Sequence, residues 1–225
     1  SAPIIFKSKF IIGITYPLTD FVQSFFQKKT FLIPNGVDYI SIRKKLDNNF
    51  VSTKLSVNKK YIFFIGHLEN WIPLKDFLDA STYSSSYEFV VIGQSREYIN
   101  YSKKYKNIHF LGRLSHYETM NLAYKYADFF FHSYLINNIW KYKSSRKLLE
   151  YIVLNKKVFV NTKEYLPPTL SLSEQIISYN NLGNFLYLLE KESPALSKIT
   201  DESLDSLSWR HHVSESKFME YCNDY

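Results

Sequence analysis

The sequence predicts an α/β fold built on a parallel sheet, and two observations carry the prediction. Three continuous apolar runs each close on glycine: Tyr61-Ile62-Phe63-Phe64-Ile65-Gly66, Glu88-Phe89-Val90-Val91-Ile92-Gly93 and Asn107-Ile108-His109-Phe110-Leu111-Gly112. Runs of this kind mark strands buried on both faces. Segments of helical character lie between them, and strand-helix alternation gives parallel pairing through right-handed crossovers. The three glycines therefore gather on one rim of a Rossmann-like sheet flanked by helices.

The elements follow in order. Residues 11–15 read as a strand stopped by Pro17, and Thr19-Asp20 opens a helix through Phe21, Phe25 and Phe26. Residues 30–33 form a second short strand. Pro34-Asn35-Gly36 then makes a turn in which Gly36 takes positive φ at little cost, and Asp38 is read as a turn residue. Residues 41–58 are polar and without a period, which predicts a linker with one helical turn. The chain thus divides into 1–40, a strand-helix-strand remnant and its turn, and 59–225, the main domain with a terminal helix. A helix follows Pro73 through Phe77, Leu78 and Ala80. Ser115 caps another, containing Leu122, Ala123 and Tyr126, with Glu118 placed for a capping box. Residues 127–132 and 156–160 are further strands, Asp128 capping the start of the first. After Pro167-Pro168 come a weak strand over 175–179, a helix over 182–190, a polar turn and a final helix over 209–221.

One stretch carries chemistry. Lys143-Ser144-Ser145-Arg146-Lys147-Leu148-Leu149-Glu150-Tyr151 runs from a polar, cationic turn into an amphipathic helix. The first turn of a helix presents unpaired N–H groups and the positive end of its dipole. With two serines and two cations beside them, these donors suit a phosphate. Glu150, one turn on, can accept from sugar hydroxyls attached to that phosphate. A capped surface helix with a solvated charge run is the competing reading.

Composition narrows the partners. A formal charge of +7 suggests an anionic ligand, yet the positive residues are scattered. Without an arginine-rich arm or zinc-finger spacing, nucleic acid is not expected. Cys222 is the only cysteine, which excludes an internal disulfide and fits a reducing compartment. His211-His212 has no matching ligands, and no metal site is expected. No apolar run reaches the roughly 18 residues of a membrane-spanning helix, and the start of the chain lacks a signal-peptide layout. The expectation is a cytoplasmic protein, with peripheral membrane contact left open.

The order of the motifs is more telling than any one of them. Ile33-Pro34-Asn35-Gly36-Val37-Asp38, a strand ending at Gly66, Val91-Ile92-Gly93, Phe110-Leu111-Gly112-Arg113-Leu114, Ala127-Asp128 and Lys147-Leu148-Leu149-Glu150-Tyr151 succeed one another. This series resembles the carboxy-terminal half of GT-B glycosyltransferases, most of all those of family 4, and Ser208-Trp209 resembles the start of that family's last helix. The resemblance covers residues 11–222. It implies a GT-B carboxy-terminal domain that transfers a sugar from a nucleotide diphosphate sugar, without a cofactor or a metal.

The implied roles carry over residue by residue. Glu150 matches the glutamate on the ribose hydroxyls. Ser144, Ser145, Arg146, Lys147, Leu148 and Leu149 match the turn that receives the diphosphate. Arg113 and Leu114 match the loop at the nucleobase. Gly66 matches the glycine beneath the donor, and Gly93 shares its rim. His67 stands where the family commonly has arginine, and Lys75 is the candidate for a lysine downstream; imidazole is the poorer phosphate clamp. Lys143 replaces an earlier glutamate found in many members. Trp71 and Trp140 either line the sugar pocket or anchor their loops, and His132-Ser133 is read as pocket lining.

A GT-B enzyme also needs an amino-terminal acceptor domain, of which residues 1–29 match only the last strand and helix. The acceptor stays unidentified, and no catalytic residue is assigned. Three arrangements are open: a segment of a longer enzyme, a reduced transferase, or a donor-binding protein working with a partner chain that supplies the acceptor domain. The rival from another class is a non-enzymatic Rossmann-like module binding an anionic polymer or membrane.

Overall fold

The computed structural model describes residues 7–66, 74–94, 103–134, 144–164, 166, 170, 173–194, 196 and 199–223. It opens with β1 (Phe10–Gly13), α1 (Tyr16–Phe26) and β2 (Lys29–Leu32), the two strands pairing in parallel as a separate sheet. After α2 (Tyr39–Lys44) the main sheet takes β3 (Tyr61–Ile65), β4 (Glu88–Ile92), β5 (Ile108–Gly112), β6 (Phe129–His132), β7 (Lys157–Val160) and β8 (Ile176–Ser178). All neighbours are parallel, in the order β5-β4-β3-β6-β7-β8. The chain leaves β3 in one direction and resumes at β6 in the other. In open α/β sheets, ligands bind at the carboxyl ends of the two strands flanking such a reversal.

Strand periodicity sorts the core into two layers. Phe63, Val90, Phe130 and Val158 face α4 (His116–Tyr126) and α5 (Arg146–Val153). Ile62, Phe64, Phe89, Phe129, Phe131 and Phe159 face α3 (Lys75–Tyr83) and α6 (Leu182–Lys191). Both faces of the sheet are covered, as continuous apolar strands require. Among the described residues no helix is long and apolar enough to cross a membrane.

Several boundaries differ from the sequence reading. Helix α1 begins at Tyr16, where the Thr15 hydroxyl accepts from Leu18 N. Pro17 sits inside its first turn, which needs no N–H there, so it starts the helix and Thr19-Asp20 continues it. Asp38 caps α2, its Oδ1 accepting from Ser41 N at 2.9 Å. Ile42 and Leu55 bury themselves in the core, so the segment 41–58 is packed along much of its length. Asp128 Oδ2 accepts from Tyr61 N at 2.8 Å and so caps the start of β3, the neighbouring strand, rather than its own. The polar turn after α6 contains α7 (Asp201–Asp205), capped by Thr200. The final helix is two, α8 (Trp209–Glu215) and α9 (Phe218–Asn223), parted at Lys217, whose φ of 55° breaks helical continuity.

The C-terminal helices hold the first sheet against the second. Phe218 and Tyr221 pack on Phe10 and Phe31, and Val37 N donates to Leu207 O at 3.0 Å. At Gly36 a β-carbon would lie 2.4 Å from the backbone nitrogen of Trp209. The Pro34-Asn35-Gly36 segment thus needs glycine for close approach of the two backbones and not, as the sequence suggested, for a positive φ, which Gly36 does not adopt.

Candidate functional site

The site grows from two periodicities. On α5, Lys147 lies one turn before Tyr151 on the same face. On β6, Phe130 and His132 share a face, two residues apart. Tyr151 stacks on Phe130 with ring centroids 3.9 Å apart and planes 5° from parallel. One layer nearer the strand ends, this places Lys147 beside His132. The pairing Phe63↔Phe130 sets β3 beside β6, and the Tyr151 hydroxyl donates to Ile65 O at 3.5 Å at the end of β3. Lys147 therefore stands over the reversal point of the sheet.

Gly66 makes room for it. A β-carbon there would come within 3.3 Å of Lys147 Nζ and 2.8 Å of Phe64 Cζ. Gly93, at φ +153°, would drive a β-carbon to 1.7 Å from Gly66 O, and its N–H donates to Gly112 O at 2.8 Å. The glycines that end the first three strands of the main sheet are thus in contact in sequence along the rim.

Electrostatically the layer is unfinished. Burial lowers the Lys147 pKa, and the nearby Glu150 carboxylate opposes that shift. Among the described residues no carboxylate comes within ion-pairing distance of its ammonium. Burial, helped by the charge of Lys147, pushes His132 down to about 4, so its ring is neutral at physiological pH. His132 Nε2 and Ser133 Oγ are buried with no hydrogen-bond partner among the described residues. Buried polar groups are ordinarily satisfied, and a buried cation costs free energy unless paired. An anion arriving here would pair the Lys147 ammonium and accept from His132 Nε2.

The surrounding elements extend this pattern. Ser145, the residue before α5, makes no side-chain cap bond, which leaves the helix's first N–H groups free of an internal cap. Asn35 Nδ2 donates to Ser144 O at 2.9 Å, so the first turn of the chain holds the second in place. Glu150, with its side chain 16% exposed, accepts a contact from His116, whose Nε2 lies 3.1 Å from Oε1. His116 is fixed there by the capping box of Ser115 and Glu118 at the start of α4.

The structure gathers Gly66, Gly93, Lys147 and Glu150 on one rim, with Ser144, Ser145 and Arg146 at the edge and Leu148 and Leu149 anchoring the helix in the core. Arg113 is exposed and Leu114 half-buried in the loop that leads to His116. Lys75 is exposed and bound to Asp79 on its own helix at 2.6 Å, which engages the charge that a diphosphate would need. His67, Trp71, Trp140 and Lys143 lie outside the described residues. Sequence reasoning did not reach His116 or the Asn35 bond. Their signals were the helix start directly after Arg113-Leu114-Ser115 and the Pro-Asn-Gly turn.

No protein-family model matches the sequence, and no curated protein matches it. Solved structures do. Sucrose-phosphate synthase from Thermosynechococcus elongatus superposes with a TM-score of 0.68 at 12% identity, covering 99% of this chain and 60% of that one. A UDP-forming α,α-trehalose-phosphate synthase from Burkholderia xenovorans gives 0.62 at 13%, over 95% and 60%. Anabaena HepE in complex with UDP and glucose gives 0.58 at 14%, over 93% and 58%. The chain thus spans about three-fifths of the length of these structures. The fold it shares with them is that of a GT-B glycosyltransferase's carboxy-terminal half with its neighbouring segments.

Proposed function

We propose that this chain is the donor-binding part of a GT-B glycosyltransferase of the family 4 kind, gripping a nucleotide diphosphate sugar. The observation that carries the reading is Lys147: a half-buried ammonium with no carboxylate partner among the described residues, standing over Gly66 where the strand order reverses. The diphosphate sits on Lys147 and the first N–H groups of α5, Glu150 accepts from the ribose hydroxyls, and the Arg113–Leu114 loop borders the base. His132, neutral, donates one bond from Nε2–H to the anion without adding charge. As the sugar leaves, charge grows on the diphosphate, and a fixed cation with aligned N–H donors stabilises it. This electrostatic route asks for no metal. Solved structures of similar fold hold UDP and glucose in one case and are named UDP-forming in another, which favours UDP as the first donor base to try.

The acceptor side requires further structure. β1 and β2 form a two-stranded parallel sheet, an arrangement that is seldom stable alone, and Phe21 and Phe25 of α1 are 50% and 68% exposed. An acceptor domain that adds strands to this sheet, from the same or a partner chain, would cover both. Calorimetry with UDP and GDP tests the donor reading. Micromolar binding of one base that is lost in Lys147→Ala supports it, and absence of binding by either nucleotide overturns it.

A further inference from the structure

A cavity lies beside the start of α5, and neither Lys147 nor Glu150 lines it. It encloses about 650 Å³ between β2 with its turn, the first turn of α5, and the α7–α8 corner. That volume is in the range of small-molecule sites. Its lining divides by chemistry: Phe31, Leu148, Leu170 and Leu207 are apolar and buried, while Ser145 and His211 are half-buried and Glu215 is exposed. His211 and Glu215 are one turn apart on α8 and so face the same way. The mix of a carboxylate, an imidazole and a hydroxyl calls for a partner that both donates and accepts hydrogen bonds. A sugar hydroxyl does both, whereas an anion would meet the Glu215 carboxylate.

We propose that this cavity binds an uncharged amphipathic glycoside, its sugar hydroxyls at Ser145, His211 and Glu215 and its apolar tail along Phe31, Leu148, Leu170 and Leu207. The cavity shares Ser144 and Ser145 with the turn assigned to the donor diphosphate, so its occupant lies next to the donor. Naming that occupant the acceptor rests on the donor reading; its binding does not.

The probe is n-octyl β-D-glucoside, kept below its micelle concentration and followed by saturation-transfer NMR and calorimetry on the full chain. Ser206 lies on the cavity wall with an exposed side chain, and Ser206→Trp fills the space without touching the core. The glucoside binds the unmodified chain and loses at least about tenfold in affinity in Ser206→Trp. n-Octyl phosphate binds more weakly than the glucoside, and Glu215→Arg, a change at an exposed position, reverses that order. Absence of glucoside binding, equal affinity in Ser206→Trp, or octyl phosphate binding as well as the glucoside to the unmodified chain overturns the proposal. UDP is titrated in parallel: failure of UDP to bind defeats the donor reading, while the glucoside series still decides the cavity.

Discussion

His116 Nε2 and Glu150 Oε1 lie 3.1 Å apart, joining the first residue of α4 to the middle of α5. The contact fixes the carboxylate that the donor reading assigns to the ribose hydroxyls. Glu150→Ala is expected to lower UDP affinity at least about tenfold, since hydrogen bonds to a charged group are worth roughly 1.5–3 kcal/mol. His116 is exposed, and its removal should change the fold little. Calorimetry beside a thermal melt separates the two effects, and unchanged UDP affinity in Glu150→Ala would sink the ribose assignment.

Lys147 makes an opposite pair of demands on stability and binding. A half-buried ammonium with no carboxylate partner among the described residues destabilises the unliganded protein, so Lys147→Met should raise its melting temperature by about 2–4 °C, the shift expected for roughly 1 kcal/mol in a chain of this size. The same change should weaken UDP binding at least about tenfold and flatten its salt dependence. Glu150→Ala should leave the salt dependence steep. A lower melting temperature in Lys147→Met would show that the methylene stem, not the charge, dominates.

His132 ties stability to pH. Its pKa falls from 6.5 unfolded to about 4 folded, so the unfolded chain binds the extra proton. The resulting stability is fully present above pH 6.5 and is lost as pH falls toward 4. The shift corresponds to roughly 3 kcal/mol at most. Urea titrations at pH 7 and pH 4.5 should show a drop that shrinks in His132→Gln. An equal drop in the variant would assign the acid sensitivity to other groups.

Two glycines should resist alanine for different reasons. At Gly93 the β-carbon would meet Gly66 O at 1.7 Å and sit at φ +153°, so Gly93→Ala distorts the rim and reduces UDP binding. At Gly36 it would meet the backbone of Trp209 and Ser208, so Gly36→Ala loosens α8 from the turn. Hydrogen exchange should then rise at Val37, whose N–H bonds Leu207 O, while UDP binding suffers less. Unaltered exchange at Val37 would contradict the close packing.

The central strands β3, β4, β6 and β7 were readable because each is a run of apolar residues buried on both faces, and burial of that kind leaves no alternative face to choose. The Ser115 capping box was readable because both partners are three residues apart. Caps that reach across the fold were not. Asp128 serves β3 through Tyr61, and Asn35 serves Ser144 across 109 residues, pairings that no local pattern encodes. The break at Lys217 was hidden because lysine rarely takes a positive φ and its sequence neighbours are helix-compatible.

By itself, then, the sequence determined the order of strands and helices, the glycine-ended rim and the polar start of α5, because these follow from local periodicity and backbone sterics. Only the tertiary structure decided that Lys147 stands over Gly66, that Glu150 meets His116, and that a cavity opens behind Ser145 between β2 and the last helices. Each of those depends on which residues distant in sequence are left facing one another when both sides of the sheet are buried.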